Sequence, residues 1–205
     1  MTIKERLRNP FVQQYLLEIL LPIAGYYLFD WSLVIIAVFY LIDQIGAEYS
    51  FVRKLKAISK SENKSSVKYS LIAILFFLIM ISAEIVLLYI YFGKGNMQEE
   101  QSMINELILF AKEELWILVP LIILMYHLKD QFTFFMPRRY LQKDTKKFFA
   151  AHLVELSLIT VSVFVGTFVF SNLTIPDPII LFSFLTIKLI FDFTVGKLLE
   201  KKTTK

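Results

Sequence analysis

Apolar residues run through this chain in six long blocks, near 11–29, 31–50, 68–92, 107–128, 149–171 and 178–198, separated by short polar and charged stretches. A helix crosses a hydrocarbon core in about 20 residues, and each block reaches or approaches that length. Lipid offers the backbone no hydrogen-bond partner, so the blocks are predicted to be helices; a barrel would need shorter strands of alternating polarity. The expected fold is all-α: one transmembrane domain over residues 1–205, an integral membrane bundle of six transmembrane helices. The first block runs on to Phe29 without a small-residue cleavage site, which reads as a retained span rather than a secretory signal. Residues 51–67 and 129–148 are expected to be the cytoplasmic loops.

Charge adds a direction. Of the 22 Lys and Arg residues, 19 fall on one side once the blocks are drawn as spans, among them Lys4, Arg6, Arg53, Lys54, Lys60, Arg138, Arg139, Lys146 and Lys201. The excess of basic residues on the cytoplasmic side puts both termini there, N-in and C-in, in a multi-pass protein of the inner (plasma) membrane. The same residues are expected to meet anionic headgroups of the lipid bilayer. They flank apolar spans, so the net charge of +4 does not point to nucleic acid. With no Cys, there is no disulfide framework, thiolate metal site or cysteine nucleophile.

Several local features refine the picture. Asp30-Trp31 reads as a tight outer turn, with Trp31 at interface depth. Residues 93–106 read as an acidic external loop, and Ser59 to Ser66 as a polar connection. The aromatic and basic mixture of 132–147 suggests a segment in the inner headgroup layer, or else a solvated linker. Pro22 and Pro120 each interrupt the first helix of a three-helix half, as in an inverted repeat, although proline is common in membrane helices generally.

Ionisable residues inside spans are costly and usually face the bundle interior, so they mark the candidate site. Lys188 and Asp192, one turn apart on the last helix, form the first candidate pair. Asp43, Glu155 and His152 fall at similar depths in the cytoplasmic half, with Glu48 nearer the surface; Glu84 is the outer-half exception. Together Lys188, Asp192, Asp43, Glu155 and His152 would make an ion, proton or substrate site, or a purely architectural ion-pair cluster. The two histidines each precede a carboxylate by three residues, so His127, Asp130, His152 and Glu155 also suggest ligands for a divalent metal such as zinc or iron. The order is the reverse of the Glu-x-x-His of di-iron bundles. No glycine-rich phosphate loop or serine-hydrolase elbow occurs.

Two segments carry a resemblance: Leu21-Pro22-Ile23-Ala24-Gly25 with Trp31, Tyr40, Asp43 and Lys54, and His152 through Gly166 and Pro178 to Lys188, Asp192 and Glu200. They resemble an uncharacterised prokaryotic family of polytopic membrane proteins with a Trp-led second helix and a C-terminal histidine followed by Lys-x-x-x-Asp. The resemblance implies the span count and groups His152 with Lys188 and Asp192; it implies no activity. The expected function is a small transporter or channel-like protein, assembled as a homo-oligomer, rather than an enzyme. The alternatives are an intramembrane metal-dependent enzyme acting on lipid or peptide, and a non-catalytic assembly or sensor subunit.

Overall fold

A computed structural model describes residues 10–92, 97–171 and 176–191. These form helices throughout: α1 (Pro10–Leu28), α2 (Leu33–Ser61), α3 (Val67–Phe92), α4 (Met97–Glu113), α5 (Leu115–Asp130), α6 (Thr145–Ser171) and α7 (Asp177–Phe191). Between α5 and α6 the chain makes a π-helical turn, Gln131–Phe135, and a 3-10 turn, Arg139–Gln142. Four helical segments are long and apolar enough to cross a membrane: Leu33–Ser61, Val67–Phe92, Leu115–Phe135 and Thr145–Val165. Ile19–Leu28 and Asp177–Ile187 are shorter apolar helices. Large apolar side chains cover the outside of α3, where Leu71, Leu75, Leu78, Ile79, Ile85, Val86 and Ile90 are exposed. Water would penalise so continuous an apolar face, whereas lipid accepts it.

α2 is the axis of the bundle. It packs on α1, α3, α4, α5 and α6, and Ile35, Ile36, Phe39 and Ile42 anchor a core joined by Leu118 and Ile122 of α5 and Leu181 and Leu185 of α7. Its start is fixed by Ser32, whose Oγ accepts from the Ile35 N–H at 3.4 Å. Its end is a Schellman turn: Asn63 takes the left-handed conformation (φ 55°), and the Lys64 N–H donates to the Ser59 carbonyl at 2.9 Å. At 29 residues, α2 runs well past the inner edge expected at residue 50. Residues 51–61, expected as loop, are helical because Phe51, Leu55 and Ile58 recur on one face and are buried, Phe51 and Leu55 against Ala73 and Phe148. The intervening Arg53, Lys54, Lys56 and Lys60 had masked that stripe.

Two other expectations change. The fourth apolar block does not start at 107: the chain breaks at Glu114, and α4 is a separate helix that lays Phe110 edge-on against Trp31 at 5.8 Å. Trp31 is consequently buried, under Gly25 and beside Phe39. The 132–147 segment is folded into the π-helical and 3-10 turns and is not a solvated linker. It folds over the C-terminal end of α2 with Phe134 buried, leaving Phe132, Met136 and Leu141 exposed.

Glycine permits the closest helix approach. A Cβ at Gly46 of α2 would lie 2.7 Å from Ile122 Cγ2 and 2.8 Å from the Tyr126 ring on α5. Gly46→Leu should therefore prise α2 from α5 and destabilise the fold by about 2 kcal/mol, seen as a lower melting temperature in detergent. An unchanged melt would mean that the two helices do not touch here.

Candidate functional site

The periodicity of α2 sorts its C-terminal two-thirds into two stripes. Gln44, Glu48, Phe51, Leu55, Ser59 and Glu62 follow one another at intervals of three or four residues, so they share a face. That face meets α3 and α6. Gln44 Nε2 donates to Glu84 Oε2 at 2.7 Å, and His152 Nε2 lies 2.7 Å from Glu48 Oε2. Phe51 stacks on the His152 imidazole, with centroids 3.5 Å apart and planes 11° apart, and on Phe148 from the same helix at 5.2 Å. At the C-terminal end of α2, Thr145 donates through Oγ1 (2.7 Å) and its backbone N–H (3.3 Å) to Glu62 Oε2. A carboxylate thus sits at the N-terminus of α6, where the helix dipole favours it. Lys64 donates to the same oxygen at 3.0 Å, a bond that holds its ammonium above the ordinary lysine value. Partner positions on α6 fall from 152 to 145 as α2 rises from 48 to 62, so the seam is antiparallel.

A second stripe, Gly46, Ser50, Arg53 and Lys54, meets α5 and the π turn. Asp130, fully buried, faces Lys54 Nζ at 2.6 Å and an Arg53 guanidinium nitrogen at 4.0 Å. The short contact approaches off the hydrogen-bond axis, leaving the Asp130 oxygens without a well-aligned donor. It is an ion pair held by charge rather than by bond geometry. Ser50 accepts from Lys54 at 2.9 Å. The wide π turn, closed by the Met136 N–H donating to the Gln131 carbonyl at 2.9 Å, carries Phe134 and Phe135 over the two cations. Arg53 lies 5.0 Å from the Phe135 centroid and 5.5 Å from Tyr49; Lys54 lies 5.7 Å from Phe134. Such faces attract cations.

The expected site is regrouped accordingly. His152 is buried, but its partner is Glu48 on α2 and not the neighbouring Glu155, which is half-buried. Asp43 is buried on α2. Lys188 belongs to α7, but its side chain, and Asp192 altogether, lie outside the described residues. The expected metal set is not assembled: His127 is exposed, Asp130 turns into Lys54, His152 turns into Glu48, and no three His, Asp or Glu side chains gather as ligands among the described residues. Helix rotation explains the split: the burial of Asp130 follows that of Tyr126 and Ile122 one and two turns back, and His127 points away from that face.

Sequence reasoning missed Gln44, Thr160, Lys54 and Arg53 as site residues. The detectable signal was the three-and-four spacing of Gln44, Glu48 and Phe51 with Leu55, a polar stripe continuous with an apolar one. Glu48 Oε2 is engaged, while Oε1 is buried and makes no hydrogen bond to the described residues. A carboxylate accepts only, so the His152–Glu48 contact puts a proton on Nε2 when Glu48 is ionised. The pair can therefore exist as imidazole with carboxylate or as imidazolium with carboxylate, and moving one proton changes its net charge.

Comparison of the chain with protein-family models, with curated proteins and with solved structures finds no match. Fold and site are left to carry the functional reading.

Proposed function

We infer that this is a six-span protein of the plasma membrane, with both termini in the cytoplasm, that moves protons or small ions through a polar site in its inner half. The observation that carries the reading is the buried Glu48–His152 pair, 2.7 Å apart, close along α2 to the Lys54–Asp130 ion pair. Ionisable groups held at bilayer depth are expensive to keep and mark proton and ion pathways. α1 and α7 supply the two further crossings, and the distribution of Lys and Arg supports the orientation. In this reading His152 and Glu48 exchange the proton, Lys54 and Asp130 bias it by charge, and Asp43, Glu155, Lys188 and Asp192 complete the path. Lys56 and Lys60, both exposed, then face anionic headgroups at the inner surface.

The test is proton or cation flux in proteoliposomes. Wild type should conduct well above empty vesicles, and Glu48→Gln should lose at least about tenfold, because a positioned acid–base group is removed. Flux that survives Glu48→Gln undiminished would overturn this reading.

A further inference from the structure

The inner-surface cluster leaves one buried carboxyl unexplained. Glu84 on α3 is 1% exposed, on a helix whose outward face is otherwise apolar. Its two partners come from two other helices. Gln44 of α2 lies 2.7 Å from Oε2, and Thr160 Oγ1 of α6 donates to Oε1 at 2.7 Å. Both partners are neutral. The other ionisable groups at bilayer depth on the helices packed against α3 are Tyr40, Asp43 and Glu48 on α2 and His152 and Glu155 on α6. The hydrogen bonds of Glu84 run to Gln44 and Thr160, while His152 and Glu48 engage each other. No Lys, Arg or His among the described residues lies within ion-pair distance of Glu84.

A lone carboxylate charge in so dry a place is strongly unfavourable unless a cation joins it. The geometry indicates which cation. Both carboxyl oxygens already sit at direct hydrogen-bond distance from their partners, which leaves no gap for a coordinated metal ion between them. One proton satisfies every group. Which end of the Gln44 amide faces Glu84 is a matter of assignment; with the amide oxygen turned inward, Glu84 Oε2–H donates to Gln44 and Oε1 accepts from Thr160. The three-residue unit is then closed, neutral and fully bonded.

We propose that Glu84, Gln44 and Thr160 form an intramembrane proton-binding site, distinct from the Glu48–His152 pair and joined to it by one turn of α2 between Gln44 and Glu48. Glu84 holds the proton; Gln44 and Thr160 are positioning residues that complete its hydrogen bonds. The site goes beyond the inner-surface reading and is tested without any flux measurement.

Infrared difference spectroscopy of the full chain in lipid reads the carbonyl stretch of a protonated carboxyl directly. Wild type minus Glu84→Gln should show that band, sensitive to deuterium exchange, and it should fade reversibly as pH rises. Glu84→Gln is expected to fold and melt like wild type, because its amide reproduces the protonated pattern of one donor and one acceptor. Thr160→Val, which removes the donor to the Oε1 carbonyl, should move the band to higher frequency, a shift that a contact elsewhere in the fold would not produce. Three results would each overturn the assignment: a difference spectrum without the band, a band unchanged over the whole range in which the protein stays folded, or loss of the band on adding Na⁺ at fixed pH. The last would make the ligand a sodium ion.

Discussion

Replacing Asp130 by Ala should be the most damaging single change around the C-terminal half of α2. Asp130 is completely buried, and its departure leaves Lys54, only 19% exposed, and a neighbouring guanidinium without the counter-charge they face. Removing one partner of a buried pair strands the other in a poor solvent, which costs about 3–5 kcal/mol. In a chain of this length that corresponds to a fall in melting temperature of roughly 10 °C. The double change Asp130→Leu with Lys54→Met should recover most of the loss, since matched apolar side chains of similar volume need no charge compensation. The contrast between single and double variants separates charge from packing. If both melt equally low, the contact contributes shape and not electrostatics.

The second large effect is on activity. Glu48→Gln retains the volume of the side chain and one oxygen facing His152, so the Phe51–His152–Phe148 stack should persist and the protein should melt near wild type. It cannot retain the charge change. With a neutral amide in place of the carboxylate, protonated imidazole has no counter-ion at 2.7 Å. Proton or cation flux should fall at least about tenfold, while His152→Gln should produce a comparable loss from the other side of the contact. Flux lost in only one of the two variants would break the pairing on which the functional reading depends.

The helices were largely legible in the sequence because apolar blocks of membrane length leave few alternatives. What misled was polarity near the edges. Arg53, Lys54, Lys56 and Lys60 made residues 51–61 read as loop, although Phe51, Leu55 and Ile58 kept the helical spacing underneath. Glu114 broke an apolar-rich stretch that composition alone joined, separating α4 from α5. For the site, depth was readable and pairing was not. His152 stood out, but its partner Glu48 lies 104 residues away; Thr160 is 76 residues from Glu84, and Gln44 is 40. Spacing within one helix suggests neighbours three or four positions away, which is why Glu155 and Asp130 were grouped with the nearest histidine. Which helix faces which is decided by tertiary packing, and the buried Gln44, Thr160 and Asp130 contacts appear only there.

All of these expectations assume a membrane around the bundle, with the Glu62 end of α2 inside the cell. The absence of cysteine from the sequence makes this directly measurable. Lys60→Cys and Gln101→Cys place single thiols at exposed positions near the inner end of α2 and on α4. A membrane-impermeant maleimide applied to intact cells should label the Gln101→Cys protein and reach Lys60→Cys only after permeabilisation. Labelling of both from the same side, in intact cells, would contradict the orientation and with it the inner-half site.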